Sequence, residues 1–366
     1  MKQTKNLIVI MIAMFALFGV MSCVILRKPI SYSETERRPL AQFPVFSLKE
    51  FISGRFAKNF ESFALDQFPL RDGFRSVKAY THFYGLGQTD NNGLYVCEDY
   101  IVKMEYPLHV DSVNRATNIF AQIHDVYLKN KNISVYASVI PDKNYFLAEK
   151  SGHLCIDYDQ MTQIYRENMP YAKYIDIFPC LTIEDYYRTD THWRQECILD
   201  VAQVIAEQMD VSLQMTYEKH QMKQPFYGVY YGQLGIPTEP DHFISLWNKE
   251  MNAYKVTDCE NNKEIEVFVS EKLNGMDMYE AFLGGPLSLV VIENKKATTD
   301  KELIIFRDSY ASAIAPLLAE GFKKIILIDI RYINSRFLKD IVSFEDGQNV
   351  LFLYSSMVLN NSETLK

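Results

Sequence analysis

The chain has 366 residues, of which 48% are apolar and 23% charged, and its formal net charge is −8. At roughly 150 residues per domain this is one large domain or two modest ones, and the ordinary globular composition excludes disorder and fibrous repeats. The acidic balance provides no basic face for nucleic acid, and a single long apolar segment excludes a multi-span transporter.

That segment comes first. Residues 7–26 are uncharged, with Lys2 and Lys5 before them and Arg27 and Lys28 after. A bilayer core takes about 20 apolar residues in helix, so the stretch fits one span. A cleaved signal peptide has a shorter apolar region of about 7–15 residues and a small-residue cleavage site. No such site is seen, and residues 1–26 are expected to be an uncleaved transmembrane anchor. Val20-Met21-Ser22-Cys23 weakly resembles a bacterial lipoprotein box, in which Cys23 would carry lipid. Arg27, Lys28, Arg37 and Arg38 outnumber the two lysines ahead of the span, so the positive-inside rule does not place the remainder outside. The rule weakens for long domains, and residues 27–366 carry 36 basic against 46 acidic residues.

Residues 27–109 read as a juxtamembrane region. Within them Phe56, Phe60, Phe63 and Ala64 fall at helical spacing, a stripe expected to be core packing. Residues 110–366 read as the main domain. Asp111 is placed as the N-cap of a helix running to about Lys129, with Val113, Ala116, Ile119, Phe120, Ile123 and Tyr127 on one face. Ile133–Ile140, stopped by Pro141, is a buried strand. Tyr174–Phe178 is a weaker one, and a helix is expected over Trp193–Met209. Residues 210–300 hold Gly, Tyr and Asn clusters with short alternating runs, and are expected to be a β-rich insertion decorating the domain. After it, strands at Leu303–Phe306, Ile325–Asp329 and Val350–Tyr354 alternate with helices at Ala311–Glu320 and Ser335–Val342. Such alternation predicts an α/β fold with a parallel sheet, whose ligand sites lie at the C-terminal ends of strands.

Two short motifs carry the chemistry. In Asp190-Thr191-His192-Trp193 the carboxylate and the imidazole share one turn, so Asp190 can orient His192 and stabilise its protonated form. Placed in a first helical turn, His192 would also feel the positive dipole end, which favours the neutral base. In Phe306-Arg307-Asp308-Ser309-Tyr310, Ser309 lies where a buried strand turns into a helix, beside N–H groups able to stabilise an oxyanion. A serine hydroxyl needs a base, and His192 is the one well-placed candidate. Ser309, His192 and Asp190 are the expected triad, with Trp193 as a buttress. Read singly, Asp190 and His192 also fit a helix cap with a packed imidazole, and Ser309 an N-cap. The pair also fits two metal ligands, a reading disfavoured because no third His or Cys cluster accompanies it. The six cysteines contain no CxxC pair, so neither a zinc cluster nor a full disulfide framework is indicated.

Taken together, Tyr32–Leu40, Asp66–Arg71, Phe282-Leu283-Gly284-Gly285, the two motifs above and Asp329-Ile330-Arg331-Tyr332 resemble the DHHW family of bacterial surface proteins. The family name has His where this chain has Thr191, a position that is neither acid nor base. That family in turn looks like the SGNH-hydrolase-like domains of alginate O-acetyltransferases. The resemblance implies a circularly permuted, three-layer SGNH-hydrolase-like fold. It implies Ser309, His192 and Asp190 as catalytic residues, with no cofactor and no metal. Arg307 stands where the hydrolase segment has Gly, and Asn144 is the candidate oxyanion donor. The implied activity is O-acyl transfer, in particular O-acetyl transfer, to a cell-surface polysaccharide on the outside of a bacterial cell membrane. The donor would be a polytopic membrane acyltransferase. An esterase with the same triad and a non-catalytic glycan-binding or assembly protein are the alternatives. The aromatic content of 13% suits a sugar-stacking surface under all three.

Overall fold

The structure, a computed structural model, describes residues 2–275 and 277–366. It contains two compact units, one formed by the residues up to Asn92 together with Tyr231–Pro237, the other by Gly93–Tyr230 and Thr238–Lys366.

In the first unit, helix α1 spans Lys2–Leu26, and Leu7, Val9, Phe15 and Phe18 on it are exposed. Among the described residues no helix is long and apolar enough to cross a membrane, so the anchor remains a reading of the sequence. The side chain of Cys23 lies outside the described residues. A short antiparallel pair follows, β1 (Tyr32–Ser33) and β2 (Arg38–Pro39). Three helices come next: α2 (Leu48–Ile52), α3 (Arg55–Asp66) and α4 (Arg71–Tyr80). The phenylalanine stripe is core in part: Phe56, Phe60 and Ala64 are only half-buried. Phe63 is buried, and Phe43 and Phe46 meet Phe63 and Phe56 edge-on at 5.3 Å between ring centroids, the geometry that the ring quadrupole favours.

The second unit opens with the antiparallel pair β3 (Leu94–Cys97) and β4 (Tyr100–Lys103). Helix α5 (Val110–Ile123) starts one residue before Asp111, which sits in its first turn with His109 at the N-cap. The chain continues through β5 (Ser134–Ile140), α6 (Lys143–Ser151), α7 (Tyr158–Asn168), β6 (Lys173–Tyr174) and α8 (Leu199–Glu207). Strands β7 (Glu218–Phe226) and β8 (Asp241–Trp247) pair with each other; in sequence a short helix, α9 (Val229–Leu234), comes between them, its residues from Tyr231 onward counted in the first unit. Their register slips between Gln221 and Pro225, where proline has no N–H for the ladder. The remaining elements are β9 (Lys255–Asp258), β10 (Lys263–Ile265), β11 (Leu289–Glu293), β12 (Glu302–Arg307), α10 (Ala311–Leu318), β13 (Lys324–Ile328), β14 (Asn349–Ser355) and α11 (Ser356–Asn360).

One eight-stranded sheet organises this unit, in the order β10-β9-β11-β13-β12-β14-β5-β6. The strands predicted at Ile133–Ile140, Leu303–Phe306, Ile325–Asp329 and Val350–Tyr354 are parallel neighbours within it. Alternate residues of β12 and β14 feed opposite cores. Leu303, Ile305, Leu351 and Leu353 pack with Val201 and Ile205 of α8 and Ile314 of α10. Ile304, Phe306, Val350 and Phe352 pack with Phe120 of α5 and Tyr165 of α7. Burial on both faces is why these strands read as unbroken apolar runs rather than alternations, and it makes a three-layer architecture.

Several expectations are corrected here. The sheet is mixed, because β9, β10 and β11 extend it antiparallel. Residues 210–300 therefore build part of the central sheet as well as decorating it, with Val256 and Ile292 fully buried. The predicted helix from Trp193 begins later: a 3-10 turn at Gln195–Cys197 precedes α8. The strand placed at Tyr174–Phe178 is the shorter β6, and the helix placed at Ser335–Val342 is a 3-10 turn over Ser335–Asp340.

Candidate active site

Strand β12 ends at Arg307 and α10 begins at Ala311, leaving a three-residue turn at the C-terminal edge of the sheet. The buried Asp308 carboxylate holds this turn, accepting the N–H of Tyr310 at 3.1 Å and of Ser355, at the end of β14, at 2.8 Å. Arg307 is wholly buried and braces the turn from beneath. Its guanidinium donates to Ser312 Oγ at 2.9 Å and to the Leu287 carbonyl at 3.0 Å. Burial pushes Arg307 below the usual arginine value, and nearby Asp329 opposes that shift. Ser309, between these supports, is half-buried. Its backbone N–H has no hydrogen-bond partner among the described residues.

The Asp190–Trp193 segment arrives from another part of the chain as a bend, held by a bridge between Tyr186 and Trp193. The first helical turn that would have placed a dipole on His192 is therefore absent, since α8 starts at Leu199 and the dipole effect fades within a turn. Orientation of the imidazole comes from the carboxylate instead. Asp190 is fully buried. Its Oδ1 accepts the backbone N–H of His192 at 3.1 Å and lies 2.6 Å from His192 Nδ1, and its Oδ2 accepts the N–H of Val229 at 2.9 Å. An ionised Asp190 fixes the tautomer with the proton on Nδ1 and leaves Nε2 as an acceptor. Ser309 Oγ lies 2.7 Å from that Nε2. The three predicted residues thus form one continuous chain, Asp190–His192–Ser309, bridging 117 positions of sequence.

Aromatic groups fix the ring and join the two motifs. Tyr279 stacks on His192 at 3.8 Å between centroids and 6° between planes. Trp193, also fully buried, donates Nε1–H to the Tyr310 carbonyl at 2.9 Å. The Tyr310 hydroxyl donates to the Thr191 carbonyl at 2.5 Å, and that of Tyr230 to Thr191 Oγ1 at 3.0 Å. Thr191 is thus a tether between the two motifs. Asp241, at the start of β8, accepts the N–H groups of Arg188 and Thr189 at 2.8 Å each.

Asn144 does not serve the position proposed for it. Its amide donates to the carbonyls of Glu105 and Leu154, and its oxygen accepts from Tyr95, so all of its polar atoms are engaged within the protein. Sequence reading missed Tyr279, Val229 and Asp241, all in the segment taken as decoration. The Gly and Tyr cluster at 226–232 was the visible signal. Among the described residues no group of three or more His, Cys, Asp or Glu is arranged to hold a metal.

The fold and these contacts define a three-layer α/β protein with a hydrogen-bonded Ser-His-Asp chain at the C-terminal edge of its sheet. The model of the DHHW protein family matches residues 180–328, a span that holds both motifs, so the resemblance read in the sequence is found. A DHHW family protein from Eubacterium siraeum is similar in structure, with a TM-score of 0.57 and 19% identity over 75% of this chain and 95% of that one. Bacillus cereus PatB1 bearing a sulfonyl adduct is similar with a TM-score of 0.57 and 18% identity, over 73% of this chain and 95% of that one. A second structure of Bacillus cereus PatB1 gives a TM-score of 0.55 and 19% identity over 74% and 97% of the two chains. At these identities the likeness is one of fold. No curated protein matches the chain.

Proposed function

We propose that this protein is a serine O-acyltransferase, acting on acetyl esters, that modifies a polysaccharide outside the bacterial cell membrane. The observation that carries the reading is the relay from buried Asp190 through His192 to Ser309, 2.6 and 2.7 Å per step. Hydrogen-bond reach for a nucleophile and its base is about 2.6–3.2 Å. Ser309 Oγ attacks the donor acyl carbonyl as its proton passes to His192 Nε2. The Ser309 N–H faces the oxyanion of the tetrahedral intermediate. Collapse expels the donor's leaving group, which takes the proton from His192, and leaves acyl-Ser309. A sugar hydroxyl then gives its proton to His192 and attacks the acyl-serine, and as the new ester forms His192 returns that proton to the departing Ser309 Oγ, restoring the hydroxyl and the neutral base.

The fold likeness to PatB1, which has been captured with a sulfonyl adduct, supports the reading, because sulfonyl electrophiles label activated hydroxyls. The resemblance to alginate O-acetyltransferases supports acetyl as the group and a polytopic membrane acyltransferase as the donor. The exposed apolar residues of α1 support a single-pass anchor at its N-terminus, and a cell-surface glycan as acceptor requires the main domain outside.

The test is 4-nitrophenyl acetate turnover with and without a neutral or acidic oligosaccharide, followed by intact-mass analysis. The expected result is acetate on Ser309 that moves to the oligosaccharide. Release to water alone, whichever sugar is present, would make the protein an esterase. No acetyl-serine and no turnover would leave the glycan-binding reading.

A further inference from the structure

Lys143 is the first residue of α6, separated from β5 by Pro141 and Asp142, and is only 2% exposed. Its ammonium donates to the carbonyls of Tyr187 at 2.9 Å and Arg188 at 3.0 Å. It also lies over the Tyr230 ring, 5.0 Å from the centroid, and over Tyr100 at 5.9 Å. Among the described residues it makes no salt bridge. A buried, unpaired ammonium is among the costliest groups a fold can hold, and an apolar side chain of similar length would fill the space at lower cost. The two carbonyls it binds belong to the bend that delivers Asp190 and His192. The same segment is held on its N–H side by the Asp241 carboxylate. The peptides at 188 and 189 therefore run between a cation on their carbonyl side and an anion on their N–H side. Tyr230, on which the ammonium rests, in turn donates to Thr191.

We propose that Lys143 is a positioning residue for the acyl-transfer site, its ammonium holding the Tyr187–His192 segment so that His192 Nε2 stays within reach of Ser309. The inference rests on the proposed function and adds a pH dependence to it. The charged and titratable groups facing Lys143 are Asp241, Asp190 and Asp142, with the Tyr100 and Tyr230 rings. Burial pushes Lys143 down to about 7, against the attraction of Asp241 first, then Asp190 and Asp142. As pH rises through that value the segment loses its charged donor. Turnover is then expected to fall on an alkaline limb that belongs to Lys143.

The experiment follows 4-nitrophenyl acetate turnover and inactivation by phenylmethanesulfonyl fluoride from pH 5 to 9, in wild type, Lys143→Met and Lys143→Arg. Ser309→Ala is the control. Small misplacements at a reacting centre cost on the order of 10²-fold. Lys143→Met is expected to lose that much kcat with KM little changed, and to lose the alkaline limb. In Lys143→Arg the charge does not titrate, so the limb should move out of range. Wild-type kcat and limb in Lys143→Met would overturn the proposal, and so would an unchanged limb in Lys143→Arg should Lys143→Met fail to fold. If wild type shows neither turnover nor sulfonylation beyond Ser309→Ala, the proposed function fails and the role of Lys143 fails with it. Turnover that survives with the limb unmoved rejects Lys143 alone.

Discussion

Gly228 lies so close beneath Asp190 that a Cβ placed on it would fall 2.3 Å from Asp190 Cβ and 2.4 Å from its Cα. No side chain fits there, and both neighbours are backbone-held. The Gly228 N–H donates to Thr189 Oγ1 at 2.8 Å, and the next N–H, of Val229, donates to Asp190 itself. Closeness of backbone is what lets a turn from the 210–300 segment supply a hydrogen bond to the buried carboxylate. Gly228→Ala must therefore push Asp190 or the turn aside. The expected outcome is a fall in kcat on the order of 10²-fold with lowered thermal stability. Kinetics together with a melting curve check it, and near-wild-type turnover would show that the carboxylate tolerates displacement.

Ser309→Ala removes the attacking atom while leaving a turn held by Asp308 and Arg307, neither of which bonds to the hydroxyl. Acyl transfer should vanish and the melting temperature should hardly move. Asp190→Asn keeps the shape but presents an amide to Nδ1, favouring the wrong tautomer. In a serine protease the equivalent change cost about 10⁴ in kcat, and a loss of similar order is expected here. Double variants of the two should be no worse than Ser309→Ala, because triad members act as a unit.

Much of this geometry was legible in the sequence, for identifiable reasons. Asp190 and His192 are two residues apart, so a local turn suffices to pair them. Ser309 follows an apolar run whose burial forces it to a sheet edge. The parallel strands were legible because burial on both faces leaves continuous apolar stretches such as Leu303–Phe306. What stayed hidden depends on long-range closure. Tyr279 stacks on His192 from 87 positions away, and nothing local in Met278–Ala281 announces it. Strands β9 and β11 pair with partners supplied by the fold, and β11, Leu289–Glu293, has the same short apolar texture as a buried helix segment. The helix expected at Trp193 failed because Trp193 and Gln195 are committed elsewhere. Gln195 bridges the Ala313 carbonyl and the Leu246 N–H at 2.8 and 2.7 Å, and that bridge holds the segment out of helix until Leu199.

Trp193→Phe isolates the bond between the two motifs. The ring still fills the core, but the hydrogen bond to the Tyr310 carbonyl is lost and a buried acceptor loses its best donor. Such a loss costs about 1–3 kcal/mol. Tyr279 stands 3.4 Å from the same carbonyl and can partly take over, so the low end is expected. Denaturant midpoints at constant m-value measure it. A stability unchanged from wild type would show that Tyr279 compensates fully.

Asp142 and Lys143, adjacent in sequence and both buried, make opposite contributions to stability against pH. Burial raises Asp142 to about 6, although Ser356 and Tyr158 donate to its carboxylate and hold it back. Its folded value lies above the unfolded one, near 3.9. The contribution is therefore fully present at low pH and is lost as pH rises from about 4 to about 6. Lys143, at about 7 when folded and near 10.4 when unfolded, binds fewer protons in the native state. Its contribution therefore grows as pH rises from about 7 to about 10. The pair should produce a shallow stability minimum between about pH 6 and 7. Asp142→Asn should remove the acid-side slope and Lys143→Met the alkaline one. Because activity should decline over the same alkaline range in which Lys143 lets stability rise, melting curves and turnover measured together separate positioning from folding. A parallel fall in both above pH 7 would show that loss of structure, rather than loss of the ammonium's grip on Tyr187 and Arg188, ends turnover.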